Sequence, residues 1–541
     1  MFGFHQRSRS LIPVRDMEKI EKMEEKMGGK TEEVVEISLE AEEDLKVQTP
    51  RQKRNLIMIY LLFLAEAIMA SSLSSQIAVL VPSSASCITA DTSFLRSILE
   101  CSYYFGSVAG IFWGRAVNKY GRRKVALIGL TGMSSCCLTM GFARTFAVFA
   151  TLRFTAGVIS SATAVAGLSM LADVTHASKM RTKIVARLPV IAVCGSVGPL
   201  AASGLKKVVE ESGLGGLLGQ YPGLASQVAC AGLVFAVALS EAVLLEETLP
   251  SMQAIRSESD ESVDCEKAGF LAESRPSIDS LNITIIEALN DDAAAPLPSR
   301  ISIYQLLTAP SVSLMLASYA LLSLHSSTFE ILLPHLGHTA SHHGGLGIPC
   351  VWLQPIMLAV KVIAAVRILK LVPFVVSKIG LLPMYRRTSM AFPILYAIVP
   401  LIAVVVNVTG GLPALSAILS TFAVLIKTTL AGAAQVLVLL LIMSAAPDAS
   451  STGSVVGVVS LAELFKALAV GVSGMSYYMS TGYSVAVVNG SLWAALCAIA
   501  LAGVAVTWRL RETPRVGTDI PEECLAWEDM FDSESDDGRS F

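Results

Sequence analysis

Charge is scarce in this chain. Only 16% of its 541 residues are Asp, Glu, Lys or Arg, against 53% hydrophobic, where a soluble domain carries about a quarter charged residues. That deficit makes lipid the solvent for much of the chain. The ten Cys form no C-x-x-C pair and no even spacing, which argues against both a disulfide framework and a zinc site. Cys87 and Cys350 each fall near the outer surface, so a disulfide between them stays open. No G-x-x-x-x-G-K-[ST] loop occurs, which disfavours an ATP-driven pump. No nucleophile–base constellation points to an enzyme, and no cofactor or resident metal is expected. The net charge of −3 averages acidic tails over nearly charge-free runs, so it speaks for no nucleic-acid partner. A cleavable leader is not expected either, because the first apolar run starts near residue 55 behind a charged stretch. The first span is then its own insertion signal.

What is present is a series of apolar runs, each near the roughly 20 residues that cross a bilayer. They fall at about 55–81, 94–117, 124–142, 146–172, 187–205, 227–245, 309–333, 349–374, 386–406, 413–443, 454–479 and 484–508. The fold class is therefore an all-α polytopic membrane protein of twelve spans. Residues 55–245 read as one six-helix bundle and 309–508 as a second. A tail at 1–54, a linker at 246–308 and an acidic tail at 509–541 read as cytoplasmic and disordered, being rich in charge and Ser and poor in aromatics. Their Ser residues among acids are open to phosphorylation, with a plain solvated linker and tail the preferred reading. Lys and Arg collect in alternate loops: Arg115, Lys119, Arg122, Arg123 and Lys124; then Lys179, Arg181, Lys183 and Arg187; then Lys370, Lys378, Arg386 and Arg387. That bias puts both termini in the cytoplasm. The sequon at Asn407 then faces outward and the one at Asn282 inward.

The halves repeat. "NKYGRRK" follows the second span and "SKIGLLPMYRR" the eighth, each with Lys-x-Gly ahead of an Arg pair. Parallel repeats around a central site are a transporter pattern.

"WGRAVNKYGRRK" resembles the signature of the major facilitator superfamily, G-x-x-x-D-[RK]-x-G-[RK]-[RK]. Gly114, Lys119, Gly121, Arg122 and Arg123 match, while Asn118 stands where the family has Asp. "LRFTAG" (Arg153, Gly157), "GSVGPLAASG", "FLAEA" with Glu66, "LEETLP" and "LLSLHSSTFEILLP" are similar to stretches of the fungal-type drug:proton antiporter branch, whose relatives include transporters linked to zinc handling. The resemblance implies two six-helix bundles rocking about a central cavity and proton-coupled efflux of a drug or metabolite. It implies that the signature forms a gating turn. There Gly121 allows a tight reversal, Gly114 lets helices approach, and Asn118 weakens a charge-paired latch. Each motif departs from the family by one or two residues. A uniporter or symporter, or a non-transporting sensor or scaffold, therefore stays open. A monomer in the plasma or vacuolar membrane is expected, with lipid, a small-molecule substrate and protons as partners.

Ionisable side chains inside spans are costly and default to function. Glu66 lies about 16 Å into the first span at 1.5 Å per residue, near the membrane centre, and Arg153 lies in the outer half of the fourth. The two are candidates to exchange partners as proton or substrate arrives. His325 is a candidate for titration or for a packing role. Glu463 and Lys466, at i and i+3, read first as a structural pair and second as cavity lining. Lys361, Arg367 and Lys427 are further charges in apolar runs, Arg367 close enough to the inner end to snorkel. His335, His338, His342 and His343 cluster in an outer loop; a plain loop is preferred to a metal site, since no acid or Cys is adjacent.

Overall fold

The computed structural model describes residues 50–72, 90–175, 178–196, 221, 223–249, 307–338, 350–408, 413–446, 449–479 and 485–510. The chain divides into two units, Met1–Arg54 and Asn55–Phe541. Of the first, only Pro50–Arg54 is described, as the opening of a helix. Everything below concerns the second.

All described secondary structure is helical. In chain order the helices are α1 (Pro50–Ser71), α2 (Ala90–Ser107), α3 (Gly110–Tyr120), α4 (Arg122–Gly141), α5 (Phe146–Val174), α6 (Ser178–Val185), α7 (Leu188–Gly195) and α8 (Leu224–Leu244). They continue with α9 (Pro310–His338), α10 (Cys350–Ile379), α11 (Leu381–Val408), α12 (Pro413–Ala445), α13 (Ala449–Val459), α14 (Ala462–Met479) and α15 (Val485–Arg509). Among the described residues, eight helical stretches are long and apolar enough to cross a membrane. Each of the twelve expected spans overlaps at least one of the fifteen described helices, the fifth only the short α7.

Bilayer physics explains the side-chain pattern. No water reaches the hydrocarbon, so polar groups must be satisfied within the helix. The hydroxyls of Thr131, Ser135 and Thr155 bond back to the carbonyls of Leu127, Thr131 and Thr151, at 2.8, 2.9 and 3.0 Å. Phe112, Val243, Ile128, Phe374 and Ile418 are exposed, as lipid-facing residues should be. Burial also ranks the helices: 67% of the apolar window of α5 is inside the protein, against 22% for α15. So α5 is the axle of the first half, packed by α2, α3 and α4, with α8 outside α4. In the second half α9 packs on α14, α15 and α12, α11 on α12 and α15, and α10 on α12. The crossing of α2 and α5 is backbone to backbone: a Cβ at Gly157 would collide with the carbonyl of Tyr103.

The halves meet along α2–α14, α3–α13, α7–α10 and α6–α12. Two expected spans are interrupted. The second breaks between α2 and α3, and the eleventh at Ser460–Leu461 between α13 and α14. The two breaks face each other, with the Ser460 hydroxyl donating to the Val108 carbonyl at 3.3 Å. A break loosens carbonyls from the helix ladder, and for Val108 the other half supplies a donor.

Candidate functional site

Polar residues from both halves converge at mid-membrane. Glu66 of α1 accepts a hydrogen bond from the Ser160 hydroxyl of α5 at 2.9 Å. Ser160 in turn accepts from the Tyr103 phenol of α2 at 2.7 Å. The result is a file of hydroxyls, Tyr103 to Ser160 to Glu66, ending on a carboxylate. Tyr103 and Ser160 are buried while Glu66 keeps part of its surface open. Arg153 is buried with its guanidinium carbon 4.7 Å from the Tyr103 ring centroid. Its charged contact is Glu100 of α2, at 3.9 Å, while Glu66 is held by Ser160. Glu66 sits deeper along the file, and Arg153 reaches Tyr103 from the ring face. From the other half, Lys466 of α14 bonds Glu463 at 2.6 Å and lies 5.7 and 5.8 Å from the rings of Tyr104 and Tyr319. Glu463 and Lys466 both act electrostatically on Glu66. Glu66, Arg153, Glu463 and Lys466 thus share one neighbourhood. His325 does not belong to it.

His325 is buried in α9, its Nδ1 3.0 Å from the Tyr396 hydroxyl and its ring against Phe392 and Tyr396. Next to it Lys427 of α12 is buried over the face of Phe329, 4.1 Å from the centroid, and donates to Ser326 at 3.4 Å. That is a desolvated cation–π contact. Beside this group opens a cavity of about 320 Å³ between α7, α9, α10 and α12. Its wall is mostly apolar, with Leu188, Val193, Ile368 and Leu439, and it carries Glu330, Lys361, Thr428 and Gln435. The size is that of a small-molecule pocket.

The third locus is the turn between α3 and α4. Gly121 has φ +93° and ψ 154°, a region essentially reserved for glycine. Glu247, just past α8, places its carboxylate on the first backbone amides of α4, accepting from Arg122 at 2.9 Å and Arg123 at 3.1 Å. An anion there satisfies orphan N–H groups and the helix dipole together. The Arg122 side chain is fully buried and ion-paired with Asp173 of α5, and it donates to the Ser169 carbonyl at 3.1 Å. Thr248 completes the ring, donating to Asp173 at 3.0 Å. Arg123 donates to the Ala242 carbonyl at the end of α8. Asn118 is the residue that crosses to the other half, its amide donating to the Ser454 hydroxyl of α13 at 2.9 Å. Gly114 lies against Gly453 and Gly457, where a Cβ would meet the Gly453 carbonyl at 2.5 Å. Lys119 is exposed over the Tyr120 ring, 5.1 Å away. These charged contacts of the turn lie within the first half, and the Asn118–Ser454 bond between halves is neutral.

Residues 55–471 match the family model of the Major Facilitator Superfamily. The chain belongs to that family. It is similar to the Major facilitator superfamily multidrug transporter mfsB of Aspergillus fumigatus, 24% identical over 444 residues and covering 72% of each chain. It is also similar to the Major facilitator-type transporter psiT2 of Psilocybe cubensis, 24% identical over 319 residues, 57% of this chain and 59% of that one. Among solved structures, the human organic anion transporter MFSD10 aligns with a TM-score of 0.57 and 14% identity, over 85% of this chain and all of that one. The proton:xylose symporter XylE aligns equally well over 95% of its chain. At that identity the likeness shows the fold: two six-helix bundles.

Several residues of these loci were not singled out from the sequence: Glu100, Tyr103, Ser160, Asp173, Glu247 and Glu330. Glu100, Asp173 and Glu330 carry the signal that found Glu66, an acid inside or at the end of an apolar run. Glu241 of α8 is another, fully buried with neither carboxyl oxygen hydrogen-bonded among the described residues. Ser160 and Tyr103 carry no such signal, because hydroxyls are ordinary in membrane helices. Of the outer His cluster, His342 and His343 lie outside the described residues, as do the side chains of His335 and His338. Cys87 and most of "GSVGPLAASG" also lie outside them, as does the side chain of Cys350.

Proposed function

We propose that the chain is a secondary transporter that exports a small molecule by alternating access, with proton movement coupled through Glu66. The observation that carries this reading is the Tyr103–Ser160–Glu66 file. A carboxylate at mid-membrane is tolerated when hydrogen bonds hold its charged form and is relieved when it takes a proton. The hydroxyl file offers the first state, and the half-open face of Glu66 gives a proton a way in. Glu463 and Lys466, carried by the opposite half, change their distance from Glu66 whenever the halves rock. Protonation and rocking are then linked through one pair of charges. Arg153 holds Tyr103 and Glu100 in place for that exchange. His325 keeps a packing role through Tyr396, and the neighbouring 320 Å³ cavity receives the substrate.

In this reading 55–245 and 309–508 are the moving bundles, joined by a cytoplasmic linker at 246–308. The tails 1–54 and 509–541 face the cytoplasm, and the chain works as a monomer in the plasma or vacuolar membrane. Antiport of a drug or metabolite fits the multidrug name of the Aspergillus relative.

The test is reconstitution of the full chain in vesicles, with a panel of hydrophobic dyes and small metabolites and an imposed proton gradient. Gradient-driven accumulation of at least one compound is expected. Flux that ignores the gradient points to a uniporter. Absence of flux across the panel points to a non-transporting sensor.

A further inference from the structure

Glu330 of α9 and Lys361 of α10 both line the 320 Å³ cavity and both expose their side chains. Among the described residues neither forms an ion pair or a hydrogen bond. Two opposite charges inside spans, in the same cavity and not joined to each other, is an expensive arrangement. The usual relief is pairing, and here it is not taken. Each charge is instead turned to the open space, where water or a ligand must satisfy it. Lys427 adds a second positive charge within electrostatic reach of both, but it is spent on Phe329 and Ser326 and does not line the cavity.

The rest of the lining narrows the choice. No aromatic ring lies among the cavity's described lining residues, so it is not an aromatic cage for a quaternary ammonium. The wall is aliphatic, with Gln435 and Thr428 as its neutral polar groups. An anion alone would sit well on Lys361 but leave Glu330 without a direct partner. A cation alone would do the reverse. A molecule carrying both signs on an apolar body answers both groups at once.

We infer that the cavity binds an amphipathic zwitterion of the amino-acid type, its acid group on Lys361 and its ammonium on Glu330. This rests on the transporter reading and names the class of molecule that reading leaves open.

The test uses three probes with one apolar body: phenylalanine, phenethylamine and hydrocinnamate. Their affinities for the purified full chain in detergent micelles are read by ligand-induced thermal shift. Phenylalanine is expected to bind at least about tenfold more tightly than either singly charged probe, one charged contact being worth roughly that factor. Lys361→Gln and Glu330→Gln each remove that advantage, Lys361→Gln bringing phenylalanine down to the level of phenethylamine and Glu330→Gln to that of hydrocinnamate. Unshifted melting of the ligand-free variants shows that both fold. Equal binding of all three probes, binding of none, or a preference for zwitterion that survives both substitutions overturns the inference. Gradient-driven flux of dyes in vesicles, measured separately, stands or falls without it.

Discussion

The turns at Gly121 and Gly380 begin from similar sequence and end up held in different ways. Both glycines have positive φ, +93° and +85°, and both link two helices of a repeat. Both place an arginine on the carbonyl end of the last helix of its own half: Arg123 on Ala242 of α8, and Arg386 on Leu510 just after α15. They differ by the five residues "LLPMY", about one and a half helical turns, which move the second Arg pair away from the helix start. In the first half the pair sits at the very N-terminus of α4, where its amides meet Glu247 and Arg122 meets Asp173. In the second half the matching arginine, Arg386, lies beyond the helix start, half-buried and 5.6 Å over the Trp508 ring. A shared motif, then, does not mean a shared mechanical part. The first turn is held by an ion pair and a carboxylate on its helix start, the second by the Arg386–Leu510 bond.

Substitutions at matched positions sharpen that contrast. Arg122→Ala should be the most damaging, because it strands the buried Asp173 carboxylate at a cost of about 3–5 kcal/mol. Arg386→Ala should cost about 1.5 kcal/mol, one charge-assisted bond. Apparent melting temperature in detergent compares them, and equal losses would erase the distinction. Next, Gly121→Ala should cost about 3 kcal/mol, since its backbone region is closed to other residues and its Cβ would sit 2.6 Å from the Glu247 carboxylate. At Gly380 the nearest atom is 3.6 Å away, so alanine there should cost only the φ strain, about 1 kcal/mol. Glu247→Gln, which keeps the shape but removes the charge facing the α4 dipole, should cost about 1 kcal/mol, and high salt should not reproduce the loss in full because the site is half-buried.

The smallest effect is expected at Asn118. Its amide donates to Ser454, so Asn118→Asp reverses that bond: the serine must become the donor, and a charge enters the contact between halves. A shift of conformational bias of about 1 kcal/mol, roughly fivefold in the ratio of states, is expected and is read by cysteine accessibility on the cytoplasmic face. No shift would leave Asn118 with only a packing role.

How far these parts could be read beforehand follows the range of the interaction. Spans depend on local composition, and described helices lie along each of the apolar runs. Glu66 was marked by its cost and by the resemblance of "FLAEA". Its partners were not, because nothing local says that Ser160 and Tyr103 face it, or that Arg153 turns to Glu100 instead. Glu247 was visible within "LEETLP", but its role appears only when the end of α8 returns to the start of α4. The breaks at Val108 and Ser460 contain no proline; each has glycine and serine close by, at Gly106-Ser107 and at Gly457 and Ser460, and they lie where the two halves touch. Glu330 lay inside a quoted motif, and only the packing of α9 beside α10 gives it Lys361 as a neighbour.

Everything proposed about coupling depends on one carboxylate. The direct measurement compares wild type, Ser160→Ala and Glu66→Gln in vesicles, using the panel compound of largest flux, and follows both gradient-driven accumulation and gradient-free exchange. Glu66→Gln should lose gradient-driven accumulation and its pH dependence while keeping exchange, and Ser160→Ala should shift the pH profile without abolishing coupling. If Glu66→Gln accumulates substrate with the same pH dependence as wild type, Glu66 does not carry the proton.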